Sequence, residues 1–252
     1  MGVGEIFKYN LSIVVIINKA EFQEKFKQVV LTQKDISLEL IIVDNISNQY
    51  KGARSAFNSV KDILKGKYII FMHQDIQFLN EYTLNSVYDY LECLNDFGIV
   101  GIAGAEKING KRIILSNIKH GKNKVNVGKH IRNITKVDTV DECFFVIRNE
   151  IFKSYPFSNR LGWHLYSAEQ SLMYEKIGLK TFVIPINLWH LSDGNSLDHN
   201  YIKILKEIAN DYPEISSLST TVKLWKLNIF HKFFYLNYFM FKQLLKSKLK
   251  KG

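Results

Sequence analysis

The chain has 252 residues, of which 46% are hydrophobic and 23% charged, a balance typical of a globular protein with a sizeable core. Its three prolines and fourteen glycines exclude a fibrous or low-complexity chain. The net charge is +10, but eight lysines and no acid lie between Ser216 and Gly252, so the basic excess is concentrated at the C-terminal end. Nucleic-acid binding would more naturally place a basic stripe on the folded domain, and we predict no nucleic-acid partner.

The sequence predicts neither a secretory signal nor a membrane-spanning segment. Met1 to Glu5 lacks a basic stretch followed by an apolar core, and no uncharged apolar run reaches the roughly 20 residues that a spanning helix needs. Cys93 and Cys143 have no CxxC partner and form no disulfide framework, which is typical of a reducing compartment. We therefore expect a cytoplasmic protein, with peripheral attachment to the inner face of the plasma membrane left open.

The first third of the chain alternates strands with helices. Continuous apolar runs at 11–17, 38–43 and 68–72 predict buried strands. Apolar residues at helical spacing predict helices over 20–32 and 51–65. This alternation predicts right-handed crossovers and a parallel sheet, and therefore an α/β fold.

Two candidate metal ligands directly follow the third predicted strand. Residues two apart in an extended chain share a face, so His73 and Asp75 can converge on one cation. Open α/β sheets bind ligands at this end of their strands. The alternative is that His73 caps the strand and Asp75 begins a turn. A dehydrogenase is disfavoured because no GxGxxG follows the first strand, and the GK[ST] of a P-loop is absent.

Further elements are predicted along the rest of the chain. Residues 106–137, rich in Lys, Asn and Gly, predict mobile or acceptor-facing loops around one short strand at 113–115, with His120 and His130 as solvated surface residues. Other strands are predicted at 99–104, 137–147 and 180–185, and helices at 80–94, 162–176 and 198–212. From 221 to 251 lysines alternate with aromatic residues. This pattern predicts a basic helix that lies on a membrane surface, or one that packs on the domain or a second subunit.

These motifs resemble the GT-A glycosyltransferases of the family 2-like type. Residues 41–45 are similar to the strand whose terminal acid contacts the nucleotide, and residues 71–75 are similar to the HQD form of the DxD metal motif in a bacterial subfamily. The resemblance covers about residues 10–195. It implies a GT-A fold, with a mostly parallel central sheet flanked by helices, followed here by a C-terminal helical extension.

The resemblance also implies which residues hold the donor. His73, Asp75 and the later His190 would bind Mn²⁺ or Mg²⁺, although the same residue types also suit zinc. The nucleotide-sugar donor, with a UDP-sugar favoured, would contact six residues: Asn18, Asp44, Asn45, Asn58, Gln74 and Asp75.

The acceptor side of the resemblance departs from the family pattern. The subfamily reads approximately FHxYDxDxSL, which His164 and Tyr166 match, but Ser167 replaces the first aspartate, the usual general base. Glu169 replaces the second aspartate and is predicted as the base, with a purely structural role at a helix start as the alternative. The resemblance places four residues at a glycan or lipid-linked acceptor: Asp141, Trp163, His164 and Tyr166. For Asp141, a cap or an ion pair is the alternative.

We therefore predict a metal-dependent, inverting glycosyltransferase of the hexosyl type in bacterial polysaccharide or glycoconjugate synthesis. Residues 1–195 would form the GT-A domain, with a nucleotide-sugar half to about 105 and an acceptor half from 106, and residues 196–252 the basic extension. Three alternatives stay open: a non-catalytic nucleotide-sugar or glycan-binding relative, a sugar nucleotidyltransferase, and a membrane-tethering protein. Oligomerisation is also left open.

Overall fold

The computed structural model describes residues 7–192, 197–228 and 234–249, with side chains described to residue 243. The strands in these residues are β1 Tyr9–Ile17, β2 Leu38–Asp44, β3 Gly66–Met72, β4 Ile76–Phe78, β5 Phe97–Gly101, β6 Ala103–Ile108, β7 Lys111–Ser116, β8 Ile118–His120, β9 Val125–Asn126, β10 Thr135–Lys136, β11 Thr139–Val140, β12 Phe144–Arg148, β13 Lys180–Val183, β14 Leu188–His190, β15 Ser217–Ser219 and β16 Leu224–Lys226. The helices are α1 Glu21–Leu31, α2 Ala53–Asn58, α3 Thr83–Glu92, α4 Asn149–Ser154, α5 Tyr166–Lys176, α6 His199–Asp211 and α7 Leu236–Leu249.

A seven-stranded sheet forms the centre of the molecule, in the order β10-β13-β5-β12-β3-β1-β2. β1 pairs in parallel with β2 and β3, as the strand–helix alternation predicts. β12 runs antiparallel to both β3 and β5, so the sheet is mixed rather than wholly parallel. The predicted α/β architecture, with a large central sheet and flanking helices, is confirmed.

Helices cover both faces of this sheet. On one face, Phe26 of α1 and Val87 of α3 pack on the apolar side chains of β1 and β3. On the other face, Phe57 of α2 and Tyr174 of α5 pack on Phe71 and its neighbours. The central strands are therefore buried on both sides, which explains why they appear in the sequence as continuous apolar runs.

The antiparallel direction of β12 decides which residues meet at the end of β3. Phe144 pairs with Met72, so the residues before β12 lie beside the residues after β3. The backbone N–H of His73 donates to the carbonyl oxygen of Cys143 at 2.9 Å. The 141–143 segment is thereby fixed against the His73–Asp75 turn.

A second, four-stranded sheet, in the order β4-β14-β8-β9, continues from this turn. β4 pairs antiparallel with β14, and the register sets Ile76 opposite His190. The backbone N–H of Leu191 donates to the carbonyl oxygen of Asp75 at 3.1 Å. A histidine more than a hundred residues further along the chain is thus brought to the end of β3.

Several predicted boundaries are wrong. The helix expected over 51–65 is only the six-residue α2, followed by a 3-10 turn at 61–63. The strand expected at 99–104 is divided between β5 and β6. Residues 106–137 contain most of the β6–β7 hairpin as well as β8, β9 and β10.

The C-terminal segment is not one helix from residue 221. β15 and β16 form an antiparallel hairpin, and the side chain of Trp225 on β16 is fully buried beneath α6. The helical part, α7, begins only at Leu236, and the predicted residues at 229–233 and 250–251 lie outside the described residues. In the part of the chain that the structure describes, we find no helix with the length and apolarity needed to cross a membrane.

Candidate metal and carboxylate site

The structure brings His73, Asp75 and His190 together. One potential ligand atom from each residue lies within 4.8 Å of the others. Nε2 of His190 is 3.2 Å from Oδ1 of Asp75, and the imidazole centroids of His73 and His190 are 5.5 Å apart. The sequence thus correctly predicts their proximity, and the group is a possible His/Asp metal site.

Burial and neighbouring charges favour the protonation states that a cation requires. Burial, and the nearby His190 ring, lower the pKa of His73, which keeps its imidazole neutral near pH 7. Burial alone would raise the pKa of Asp75, but its hydrogen bond and charge interaction with His190 outweigh that effect and lower it. A neutral imidazole and an ionised carboxylate are the ligand forms of these side chains.

His190 lies in a polar setting that the sequence does not reveal. Its Nε2 is 3.0 Å from Oγ of Ser192, while its buried Nδ1 has no hydrogen-bond partner among the described residues. The parallel pairing of β8 with β14 sets His120 beside it, with ring centroids 5.5 Å apart. The prediction that His120 is a solvated surface residue is therefore wrong, because sheet pairing makes it half-buried, whereas His130 is exposed as predicted.

Tyr166 connects His73 to the segment before β12. Its hydroxyl lies 3.1 Å from His73 Nε2 and 3.2 Å from the backbone carbonyl oxygen of Glu142. Burial raises the pKa of Tyr166 well above its usual value, so the hydroxyl keeps its proton. Because a carbonyl oxygen only accepts, the hydroxyl donates to Glu142 and accepts from the Nε2–H of His73 when both bonds form. Nδ1 of His73 then carries the lone pair that a metal ion needs.

Of the residues predicted to bind the donor, Asn18 and Gln74 meet each other. Asn18 follows β1 and Gln74 follows β3, and the backbone N–H of Asn18 donates to Oε1 of Gln74 at 3.1 Å. The amide of Gln74 donates in return to Oδ1 of Asn18. Asp44, at the end of β2, is exposed and accepts from the backbone N–H of Ile46 at 2.8 Å. These three side chains line the carboxyl ends of adjacent parallel strands, where ligands of such sheets bind.

Asn45 and Asn58 are used differently. Oδ1 of Asn45, which is buried, accepts from the backbone N–H of Tyr50 at 2.8 Å. The amide of Asn58 donates to the carbonyl oxygen of Phe157 at 2.8 Å, and its oxygen accepts from the Phe157 N–H at 3.1 Å. Both side chains hold loops in place, which argues against the predicted donor contacts.

Two acids, Asp141 and Glu142, precede β12, and a functional role was predicted only for Asp141. Asp141 has both oxygens engaged, by the backbone N–H of Cys143 at 3.0 Å and by the hydroxyl of Thr221. Glu142 accepts from the backbone N–H of Tyr166 at 3.0 Å. Burial, and the adjacent Asp141 charge, raise the pKa of Glu142 to about 8. The only sequence signal for Glu142 is an acid pair before a strand, and its meaning depends on the direction of β12.

Glu169 lies in a buried ion-pair network. Its Oε2 accepts from Nε of Arg54 at 2.7 Å, and its Oε1 accepts from Nε and NH2 of Arg160 at 3.3 and 3.2 Å. Arg54 is fully buried, and its NH1 donates to the carbonyl oxygen of His164 at 3.1 Å. Since guanidinium groups engage both carboxylate oxygens, this geometry argues against the predicted role of Glu169 as general base.

The remaining residues of the acceptor motif are divided between surface and core. Trp163 is exposed, whereas His164 is half-buried, with Nε2 3.4 Å from Oδ1 of Asp198. Burial lowers the pKa of His164 despite that carboxylate. Ser167, the residue found where an acid was expected, is fully buried and donates to the carbonyl oxygen of Val140 at 2.8 Å. Position 167 therefore points at the strand immediately before the Asp141–Glu142 pair.

The chain matches known proteins over most of its length. A family model described as "Glycosyltransferase like family" matches residues 11–209. The chain is 25% identical over 185 residues to a protein of Fuscovulum blasticum named "ATP synthase subunits region ORF 6", with 69% of this chain and 71% of that protein covered.

Solved structures share the fold at low sequence identity. A mannosyltransferase from Pyrobaculum calidifontis, in complex with GDP-Man and Mn²⁺, superposes with a TM-score of 0.57 at 11% identity, over 98% of this chain and 79% of that one. Residues 1–349 of TarS from S. aureus, in complex with UDP-GlcNAc, superpose with a TM-score of 0.54 at 12% identity, over 80% of this chain and 66% of that one. The predicted GT-A fold is confirmed.

Proposed function

The chain belongs to the Glycosyltransferase like family, and on that premise we propose that it is a metal-dependent, inverting glycosyltransferase. It would move a hexosyl group from a nucleotide sugar to a glycan or lipid-linked acceptor, in bacterial polysaccharide or glycoconjugate synthesis. The observation that carries the proposal is the convergence of His73, Asp75 and His190 at the end of β3, within 4.8 Å. His190 comes from a part of the chain 115 residues after Asp75, and the pairing of β4 with β14 brings its side chain to the His73–Asp75 turn.

The donor atoms of this group fit a divalent cation. Held there, the cation would neutralise the charge that develops on the departing nucleoside diphosphate. Two imidazoles and one carboxylate suit Mn²⁺ better than Mg²⁺, which favours oxygen ligands. The Mn²⁺ in the Pyrobaculum calidifontis structure supports the same choice. Tyr166 would fix the tautomer of His73, so that Nδ1 keeps the free lone pair that binds a cation.

The nucleotide would lie along the ends of β1, β2 and β3. Asn18 and Gln74 form one wall there, and the exposed carboxylate of Asp44 can accept from base or ribose donors. The two neighbouring structures contain GDP-Man and UDP-GlcNAc, which supports a nucleotide-sugar donor while keeping both nucleotides as candidates.

A thermal-shift screen tests this function directly. We expect UDP-GlcNAc, GDP-mannose or a related nucleotide sugar to raise the melting temperature in the presence of Mn²⁺ and much less after chelation. A ligand at 100 times its dissociation constant stabilises the folded state by about 2.7 kcal/mol, which is a readily measured shift. Release of nucleoside diphosphate from the same donor then measures turnover. If no nucleotide sugar gives a metal-dependent shift, the proposed function is wrong.

A non-catalytic donor-binding protein is the second candidate, because Ser167 occupies the position where a catalytic acid was expected. Such a protein would show the same thermal shifts but would release no nucleoside diphosphate. The two functions are therefore separated by one turnover measurement on the purified chain.

The division of the chain into residues 1–195 and a C-terminal extension stays a prediction. The extension contacts the acceptor half closely: Arg112 donates to the carbonyl oxygens of Thr220 and Thr221, and Thr221 donates to Asp141. A deletion from residue 221 would remove the Asp141 contact and the buried Trp225, so it cannot isolate a membrane function.

Within the extension, α7 supports peripheral membrane binding. Tyr238 and Phe241 are 63% and 60% exposed, and Lys242 is exposed beside them. We expect Tyr238→Ser with Phe241→Ser to lower sedimentation with vesicles of phosphatidylglycerol and phosphatidylcholine about tenfold, since aromatic rings and lysines bind anionic interfaces. Leu31→Ser is the matched control, because Leu31 is 73% exposed on α1, outside the extension. Equal sedimentation of all three proteins would exclude α7 as the attachment surface.

A further inference from the structure

We propose that Glu142 is the proton acceptor of the transfer reaction, replacing the acid that the sequence lacks at position 167. This inference rests on the proposed function and assigns a reaction step to a residue outside the predicted site. The acceptor hydroxyl oxygen bonds to the anomeric carbon while the bond from that carbon to the diphosphate oxygen breaks. The electron pair leaves with the diphosphate, and the hydroxyl proton passes to the carboxylate of Glu142.

The position of Glu142 supports this role. Its backbone oxygen shares the Tyr166 hydroxyl with His73 Nε2, and the next residue, Cys143, accepts from the His73 backbone N–H at 2.9 Å. The backbone of Glu142 is therefore linked to His73 through the Tyr166 hydroxyl, and it lies two residues before the part of β12 that pairs with β3. Its carboxylate also accepts a hydrogen bond from the backbone N–H of Tyr166, in the first turn of α5.

Ser167 and Glu142 occupy neighbouring positions around this turn. Ser167 donates to the carbonyl oxygen of Val140, two residues before Glu142. The start of α5 has Ser167 where the family pattern has an acid, and the segment that packs against Ser167 carries the acid Glu142.

The other acids near the site are already committed. Asp75 belongs to the metal group, Asp141 is held by Thr221 and Cys143, and Glu169 is held by two arginines. Glu142 is partly exposed, and its carboxylate accepts from the backbone N–H of Tyr166 at 3.0 Å and from the backbone N–H of Leu165. It is the acid of this group that combines partial exposure with a backbone link, through Tyr166, to His73.

The proton affinity of Glu142 also suits a base. Burial, and the negative charge of Asp141, raise its pKa to about 8, while the positive charge of Arg54 on α2 acts in the opposite direction. Tyr166 on α5, whose own pKa is raised by burial, faces it as a neutral hydroxyl. A base with a pKa near the working pH binds a proton strongly enough to assist attack. The active, ionised form accumulates as the pH rises, so turnover should rise through pH 8.

The simpler explanation is that Glu142 only caps α5. Glu142→Gln separates the two roles, because the glutamine oxygen can still accept from the Tyr166 N–H but cannot take up a proton. We would measure nucleoside diphosphate release from UDP-GlcNAc and GDP-mannose with Mn²⁺ and water as acceptor, together with melting temperature and pH profile. Glu150→Gln is the control, since Glu150 is exposed at the start of α4.

We expect Glu142→Gln to lower kcat at least 100-fold, with the KM for the donor and the melting temperature unchanged, and to remove the rise in rate with pH. Glu150→Gln should match the parent protein. An active parent protein whose kcat survives Glu142→Gln overturns the role of Glu142 alone. A fall in melting temperature with no change in kcat would show that Glu142 only caps α5, and this result would also overturn its role as proton acceptor. A parent protein with neither donor-dependent shift nor turnover overturns both proposals.

Discussion

Asparagine in place of Asp75 should lower Mn²⁺-dependent turnover about 1,000-fold while leaving the fold intact. The substitution keeps the size of the side chain but removes the only carboxylate of the His73–Asp75–His190 group. A catalytic cation lowers the barrier by several kcal/mol, and about 1.4 kcal/mol corresponds to a tenfold change in rate. Turnover is measured as nucleoside diphosphate release, and Mn²⁺ affinity by calorimetric titration.

Asp62→Asn is the matched control for this experiment. Its side chain is 85% exposed and is paired with Lys61 at 3.3 Å, so the variant should retain turnover and Mn²⁺ affinity. We expect both variants to melt within a few degrees of the parent protein when no metal is present. Full turnover by Asp75→Asn would remove Asp75 from the mechanism, and an unchanged Mn²⁺ affinity would remove it from the metal group.

The sequence predicts the elements whose pattern is local. The runs that became β1, β2 and β3 are continuous and apolar because helices cover both faces of the sheet. The prediction of one helix after residue 221 was wrong because short stretches of alternating aromatics and lysines fit both a strand and a helix. The β15–β16 hairpin is favoured because it buries Trp225 against α6. Residue spacing in the sequence does not reveal this contact.

Within the site, the metal group was predictable but its surroundings were not. His73 and Asp75 follow a recognisable strand, so their position at a cleft follows from the fold class. The position of Glu142 near the end of β3 depends on the antiparallel pairing of β12 with β3. The position of His120 beside His190 depends on the pairing of β8 with β14. Such pairings join segments far apart in the chain, and their direction depends on the whole topology.

The counter-charge of Glu169 was unpredictable for the same reason, since Arg54 precedes it by 115 residues. The contact depends on the close pairing of Gly52 with Gly162, where a Cβ on Gly52 would lie 2.5 Å from the Gly162 nitrogen. This pairing sets the start of α2 against the loop before α5. The Arg54 side chain then lies in the core beside Glu169, and it is fully buried.

Methionine in place of Arg54 should therefore destabilise the protein by about 3 kcal/mol, because Glu169 would lose its fully buried partner and keep only the more exposed Arg160. For a chain of this size the melting temperature should fall by roughly 10 °C. Glu169→Gln should also lower it, since Arg54 is fully buried beside the carboxylate it would lose. Both variants are measured by calorimetry, and their turnover is assayed well below the melting temperature.

The double variant Arg54→Met with Glu169→Leu distinguishes an ion pair from a catalytic base. Apolar residues of similar volume can replace a buried pair at little cost, and Arg160 would keep Glu207 and Asp211 as partners. We expect the double variant to recover most of the lost stability and to retain turnover within about tenfold, a difference of about 1.4 kcal/mol in the barrier. Glu175→Gln, exposed on the same helix, is the control. If Glu169 were instead the base, Glu169→Gln would abolish turnover at an unchanged melting temperature, and no apolar pair would restore it.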